Sequence, residues 1–280
     1  MSVPAAHAQA GYPARLLKQS WHALAQLVRT PSHSRRAEAA RRLARHSLWL
    51  SAAGAAIIIM LMVAIDQAEI QLMPARGTPS LWPLRILTDF GKDEYVLSVL
   101  GIVLVAVALV AAAQHGTRRA LLLGLGTRLQ FVFLSVALSV FITEILKYLI
   151  GRGRPFVGGK ANAFNFVPFE GTGAYASLPS GHAVTAVALA FAVSALWPRL
   201  RVLMVTYAIV ILLTRLVLLA HHPSDVVAGA LVGIVGTMAV RYWFAARRLG
   251  FVIQSDGTIV PLPGPVLGRL KRVARGPSAP

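Results

Sequence analysis

The chain contains no cysteine, so disulfides and thiolate metal sites are excluded. Charge is also scarce. Only 14% of the 280 residues are Asp, Glu, Lys or Arg, against roughly 25% in a soluble domain. Acids are scarcest, at 10 against 28 Lys and Arg, which leaves a formal net charge of +18. No internal repeat is visible. The first 46 residues carry eight Lys/Arg and one acid, and no short apolar segment with a small-residue cleavage site follows them. A cleaved signal peptide is therefore not expected.

What is abundant is apolar surface: 56% of residues are hydrophobic and the mean hydropathy is +0.64. Several runs approach the roughly 20 residues needed to cross a bilayer, too many and too long for the buried helices of a soluble protein. The expected fold class is all-α, a polytopic membrane helical bundle with six transmembrane helices. The spans are placed at Ser47–Ile65, Tyr95–Ala113, Leu129–Lys147, His182–Trp197, Leu200–Ala220 and Val226–Ala246. Residues 1–46 form a basic N-terminal tail, 47–246 the membrane domain and 247–280 a basic C-terminal tail.

The excess of positive charge would suit nucleic acid, but its placement argues against that partner. Loop 66–94 holds five acids against three bases, whereas loop 114–128 and the turn 198–201 hold bases only. Together with the tails and Arg241, one side collects twenty of the 28 Lys/Arg. By the positive-inside rule that side is cytoplasmic, and both termini lie there. The segments ARLLKQSWHALAQLVR and VLGRLKRVAR read as helices lying on an anionic leaflet. FVIQSDGTIV (251–260) reads as a hairpin turning at Asp256-Gly257.

This topology gathers polar residues at the outer face. In KYLIGRGRP (147–155), Lys147 ends the third span and Pro155 pushes Arg154 out of the α region, so that Arg154 swings towards a partner. Arg152 is assigned to the surface, with a second cation of the site as the alternative. In LPSGHAVTA (178–186), Ser180 suits a helix N-cap and Gly181 permits close backbone approach to a ligand. His182 stands in the first turn, and the free N–H groups form an anion site. In TRLVLLAHHPSDV (214–226), Arg215 precedes a His221–Asp225 pair. Asp225 is expected to hold one ring N–H of His221 and leave the other nitrogen facing outward. His222 and Pro223 suit the N-cap and first position of the last span. Three cations and a helix N-terminus around two histidines suit a phosphate. A metal would need more carboxylates or imidazoles, and Asp225 is the only acid in the three motifs, so no metal and no cofactor are expected. Glu144 lies one turn before Lys147, where it can pair with it. The long loop 156–178, with Phe156, Phe164, Phe166 and Phe169, is expected to rest on lipid or cover the site.

These three stretches resemble the signature of the type 2 phosphatidic acid phosphatases, K-x6-R-P, P-S-G-H and S-R-x5-H-x3-D, with Thr214 in place of the usual Ser. Class A acid phosphatases and vanadium haloperoxidases belong to the same superfamily. The resemblance implies a core of that fold and a metal-independent lipid phosphatase; the charge asymmetry puts its site at the outer, periplasmic face, and the Ala- and Arg-rich composition without Cys fits a bacterial inner membrane. It implies that His221 attacks phosphorus to give a phosphohistidine. His182 then protonates the departing oxygen and later activates water. Lys147, Arg154, Arg215 and the Ser180/Gly181 backbone bind the phosphate. Phosphatidic acid, phosphatidylglycerol phosphate, undecaprenyl pyrophosphate and lipid A are the candidate substrates. A lipid phosphotransferase would use the same residues. A soluble-type haloperoxidase and a transporter fit less well, because the polar groups gather at one lipid-facing end.

Overall fold

The computed structural model describes residues 11–155, 157, 162–254 and 256–263. Nine α-helices and one hairpin are formed among them: α1 (Tyr12–Val28), α2 (His33–Ala64), α3 (Asp66–Leu72), α4 (Trp82–Asp89), α5 (Asp93–Ala113), α6 (Gly116–Ile150), α7 (Gly181–Leu196), α8 (Arg201–Val217) and α9 (Pro223–Arg247), then β1 (Phe251–Ile253) and β2 (Ile259–Pro261). Five helical stretches are long and apolar enough to cross a membrane, and the shorter α7 is apolar too. The all-α bundle and its six apolar helices are as expected. At 1.5 Å per residue α7 measures only about 24 Å, short of a roughly 30 Å apolar layer. It can be short because α6, α8 and α9 surround it.

Helix boundaries depart from expectation where charge misled. The first span is the second half of the 32-residue α2, whose basic first half simply continues the helix. Likewise α6 runs for 35 residues, its Arg118, Arg119 and Arg128 standing ahead of the apolar stretch. The connection 66–94, expected as plain loop, folds into α3 and α4. α8 stops at Val217, three residues before the expected end of its span, so Arg215 sits in its last turn.

Small residues set the packing. A Cβ on Gly229 would lie 2.6 Å from the Ser180 carbonyl oxygen and 2.8 Å from Ala183 Cβ, and one on Gly233 would lie 2.8 Å from the Val184 carbonyl oxygen. α9 therefore presses its backbone against α7, the small-residue mode of membrane helices. On α6, the hydroxyls of Ser135, Ser139 and Thr143 each donate to the carbonyl four residues back at 2.8 Å. The stripe is thus internally satisfied and can pack closely. These crossings bring the start of α7, the start of α9 and the end of α6 to one end of the bundle.

At the opposite end, Phe131 packs edge-on against Phe244 (5.4 Å) and Phe251 (4.7 Å). The hairpin is formed with Val252 opposite Val260, and Gly257 takes φ +81° at the turn. α1 docks by Tyr12 Oη donating to the Leu109 carbonyl (3.1 Å), leaving Leu17, Trp21, Leu24 and Val28 exposed on its other face. The segment VLGRLKRVAR and Phe156 lie outside the described residues.

Candidate active site

α6 ends in a left-handed cap at Gly151 (φ +58°, ψ 45°), where a Cβ would overlap the Val167 carbonyl. Only glycine fits both the dihedral and the space. The chain then leaves the helix and Arg152 bridges to Phe166, while Gly153 N–H donates to the Asn165 carbonyl at 2.8 Å. Lys147 remains in the last turn of α6. Its Nζ pairs with Glu144 at 2.6 Å, and it lies 3.2 Å from where a Cβ on Gly181 would sit. Arg154 Nε donates to the Gly173 carbonyl at 2.8 Å.

Ser180 is the N-cap residue of α7, but its hydroxyl makes no capping bond and lies buried without a partner. Its backbone N–H donates to the Asp225 carbonyl at 3.0 Å. That N–H is therefore already committed, contrary to the expectation that it binds phosphate. The N–H groups of Gly181, His182 and Ala183 follow it in the first turn and have no intrahelical acceptor. His182, half-buried, packs beside Gly91, where a Cβ would lie 3.4 Å from its ring. Arg215 is buried, with Nη1 donating to Thr88 Oγ1 at 2.7 Å.

The His221–Asp225 pair forms, but not by the direct hydrogen bond expected. The shortest approach of His221 Nδ1 to Asp225 Oδ2 is 3.8 Å, too long for one. Nδ1 lies instead 2.9 Å from the Ser177 carbonyl oxygen. A carbonyl only accepts, so Nδ1 carries the proton in the neutral ring and Nε2 holds the lone pair. Ser177 Oγ in turn donates to Asp225 Oδ2 at 2.6 Å. The carboxylate aims the imidazole through Ser177.

Asp225 is itself clamped. Its Oδ2 also accepts the His222 N–H at 2.9 Å, and its Oδ1 accepts Arg152 Nη1 at 2.6 Å. Arg152, assigned to the surface from sequence, is completely buried. Its Nη1 donates to Ser224 Oγ (2.6 Å), its Nη2 donates to Asp66 Oδ2 (2.8 Å), and both Nε and Nη2 donate to the Ala163 carbonyl. Asp66 completes the ring by accepting the Ser224 N–H at 3.1 Å and the Ser224 hydroxyl. The surface reading fails because it took the arginine as solvated; two buried carboxylates and a carbonyl replace its water. His222 is the N-cap of α9, and Pro223 stands in the first turn as expected.

Burial pushes His221 down to about 4, opposed by Asp225 and reinforced by the neighbouring Arg215 and Arg154. The ring is neutral at physiological pH. Burial likewise lowers Arg154, while burial beside the Asp66 and Asp225 charges raises Glu69 to about 7.

All eight residues singled out from the sequence, Lys147, Arg154, Ser180, Gly181, His182, Arg215, His221 and Asp225, stand at this one end. Asp66, Thr88 and Ser177 were missed. Asp66 carried a signal, an acid at the very end of an apolar run. Thr88 and Ser177 carried none. Among the described residues no cluster of His, Asp or Glu suited to a metal ion is found.

The chain is similar to known proteins over part of its length. A 127-residue stretch is 38% identical to the lipid A 1-phosphatase of Rhizobium johnstonii and 37% identical to that of Rhizobium etli. It covers 45% of this chain and 52% and 55% of the two relatives, so the match spans about half the length of these curated proteins. No solved structure matches. The PAP2 superfamily matches over residues 128–249, which contain all three motifs. Over that segment the chain is similar to the PAP2 superfamily.

Proposed function

We propose that the protein is a lipid phosphatase of the PAP2 type that hydrolyses a phosphate ester on a membrane lipid through a phosphohistidine. The observation that supports this most is the neutral His221, its Nδ1 committed to Ser177, beside Arg154, Arg215 and the open first turn of α7. Nε2 attacks phosphorus in line, forming an N–P bond as the P–O bond to the lipid breaks. His182 gives its proton to the departing oxygen. Water then attacks the phosphohistidine, His182 takes the water proton, and phosphate leaves. Lys147, Arg154, Arg215 and the N–H groups of Gly181, His182 and Ala183 neutralise the equatorial oxygens, so catalysis is mostly positioning and electrostatics.

The names of the two Rhizobium relatives favour lipid A carrying a 1-phosphate as the substrate. Exposed Phe164, Phe166 and Phe169 flank the end of α6, where Tyr148 stacks edge-on with Phe169 at 5.6 Å. They suit the lipid interface, where a substrate anchored in the bilayer presents its headgroup. The cation-rich opposite end favours an orientation with this site on the periplasmic side of a bacterial inner membrane. Purified protein should release phosphate from lipid A in a panel that also holds phosphatidic acid, phosphatidylglycerol phosphate and undecaprenyl pyrophosphate. Release should survive EDTA and vanish in His221→Ala. Undiminished release by that variant would refute the mechanism, and release that requires a lipid alcohol acceptor would identify a phosphotransferase.

A further inference from the structure

At the end of α9 away from His221, a cavity of about 320 Å³ opens between α2 and α9. Asp225 and Arg247 are 22 residues apart on α9, about 33 Å along the helix. The two sites therefore face opposite ends of the bundle. Ala40 and Leu43 of α2 and Ala239 of α9 give the cavity an apolar wall, and Arg36, Trp243 and Arg247 complete it.

Of the arginines here Arg247 is buried and Arg36 is exposed, and among the described residues neither pairs with an acid. Arg247 is only 7% exposed, and its guanidinium carbon lies 3.5 Å from the centre of the Trp243 ring. Its Nη1 donates to the Trp243 carbonyl at 3.3 Å, while Nε is buried with no partner among the described residues. Arg29 donates to the Arg247 carbonyl at 2.6 Å, which brings a third guanidinium to the same place. Among the described residues no Asp or Glu lines the cavity. The nearby Glu38 is already paired with Arg41 and Arg42.

Two guanidinium groups line the cavity, one of them buried on an indole face, and a third stands beside it on the Arg247 carbonyl, an arrangement that suits an anion. The apolar wall and the exposed apolar face of α1 set that anion at a lipid interface. We propose that this cavity binds the phosphodiester headgroup of an anionic glycerophospholipid, whose acyl chains stay in the bilayer. The volume sits at the small end of ligand sites, enough for a headgroup and not for a whole lipid. The claim does not depend on the catalytic reading.

The test uses the full-length protein in phosphatidylcholine nanodiscs doped, at equal low mole fraction, with acyl-brominated phosphatidylglycerol or acyl-brominated phosphatidylcholine. Bromine quenches nearby tryptophan. The phosphatidylglycerol should quench more than the phosphatidylcholine, and the excess should disappear in Trp243→Phe. Arg36→Gln should weaken the preference about fivefold, the scale of one basic residue at an anionic surface. Ala40→Phe should abolish it by filling the cavity from an exposed position. Equal quenching by the two lipids would overturn the proposal. So would a preference that survives both Arg36→Gln and Ala40→Phe, since that is diffuse attraction by the basic segments.

Discussion

Removing Arg152 should do far more damage than removing a surface arginine. The side chain is completely buried between Asp66 and Asp225, both equally buried, and it satisfies Ser224 and takes the Ala163 carbonyl as well. Arg152→Ala leaves two buried carboxylates facing each other without their shared cation. Breaking one buried pair typically costs about 3–5 kcal/mol, a large share of a stability of about 5–15 kcal/mol. Thermal unfolding in detergent, followed by the loss of helical circular dichroism, should therefore drop sharply. Arg152→Lys keeps the charge but reaches one carboxylate at a time, so it should fold. Its kcat should fall by about 10–100-fold, the scale for groups that orient an active-site side chain. KM should stay unchanged, because Arg152 touches no phosphate. A double-mutant cycle with Asp66→Asn supplies the internal check. In an Arg152→Met background the Asp66 change should cost less, with a coupling of about 0.5–3 kcal/mol. If Arg152→Ala shifts stability by no more than the roughly 0.5 kcal/mol of an ordinary surface change, the clamp does not exist. If KM rises while kcat holds, Arg152 binds substrate instead of positioning Asp225.

Four further outcomes come from the same geometry. Because His221 is held near 4 against an ordinary value near 6.5, kcat/KM should persist on the acid side down to about pH 4. The unfolded chain binds this proton more readily, so His221 alone should remove folding stability as pH falls from 6.5 towards 4; a pH series of melting temperatures tests the sign. Thr88→Val keeps the shape but strips Arg215 of its hydroxyl partner, and steady-state kinetics should show kcat/KM reduced by about tenfold, equivalent to about 1.4 kcal/mol. Gly229→Leu should wedge α7 from α9 and cost about 1–3 kcal/mol or more, with phosphate release falling further than stability because His182 moves away from His221.

The parts that local chemistry controls could be read directly from the residues. The length of the apolar runs gave the six apolar helices, and Asp256-Gly257 gave the hairpin turn. Helix ends were harder to place. The basic start of α2 and of α6 was taken for tail and loop, because an exposed Lys or Arg suits either, and only the continuing backbone hydrogen bonds distinguish them.

By itself the sequence determined the class of protein, the three motifs and the end of the bundle at which they meet. Spacing along the chain sets which helix end each residue occupies, and apolar runs must alternate direction across a bilayer. The tertiary fold alone decided how the groups engage one another. It placed Ser177 between Asp225 and His221, turned Arg152 inward to Asp66, and gave Arg215 to Thr88. Each of these bonds joins residues 44 to 127 positions apart. No pattern in the chain encodes such pairings, because they depend on the relative placement of packed helices to within an ångström.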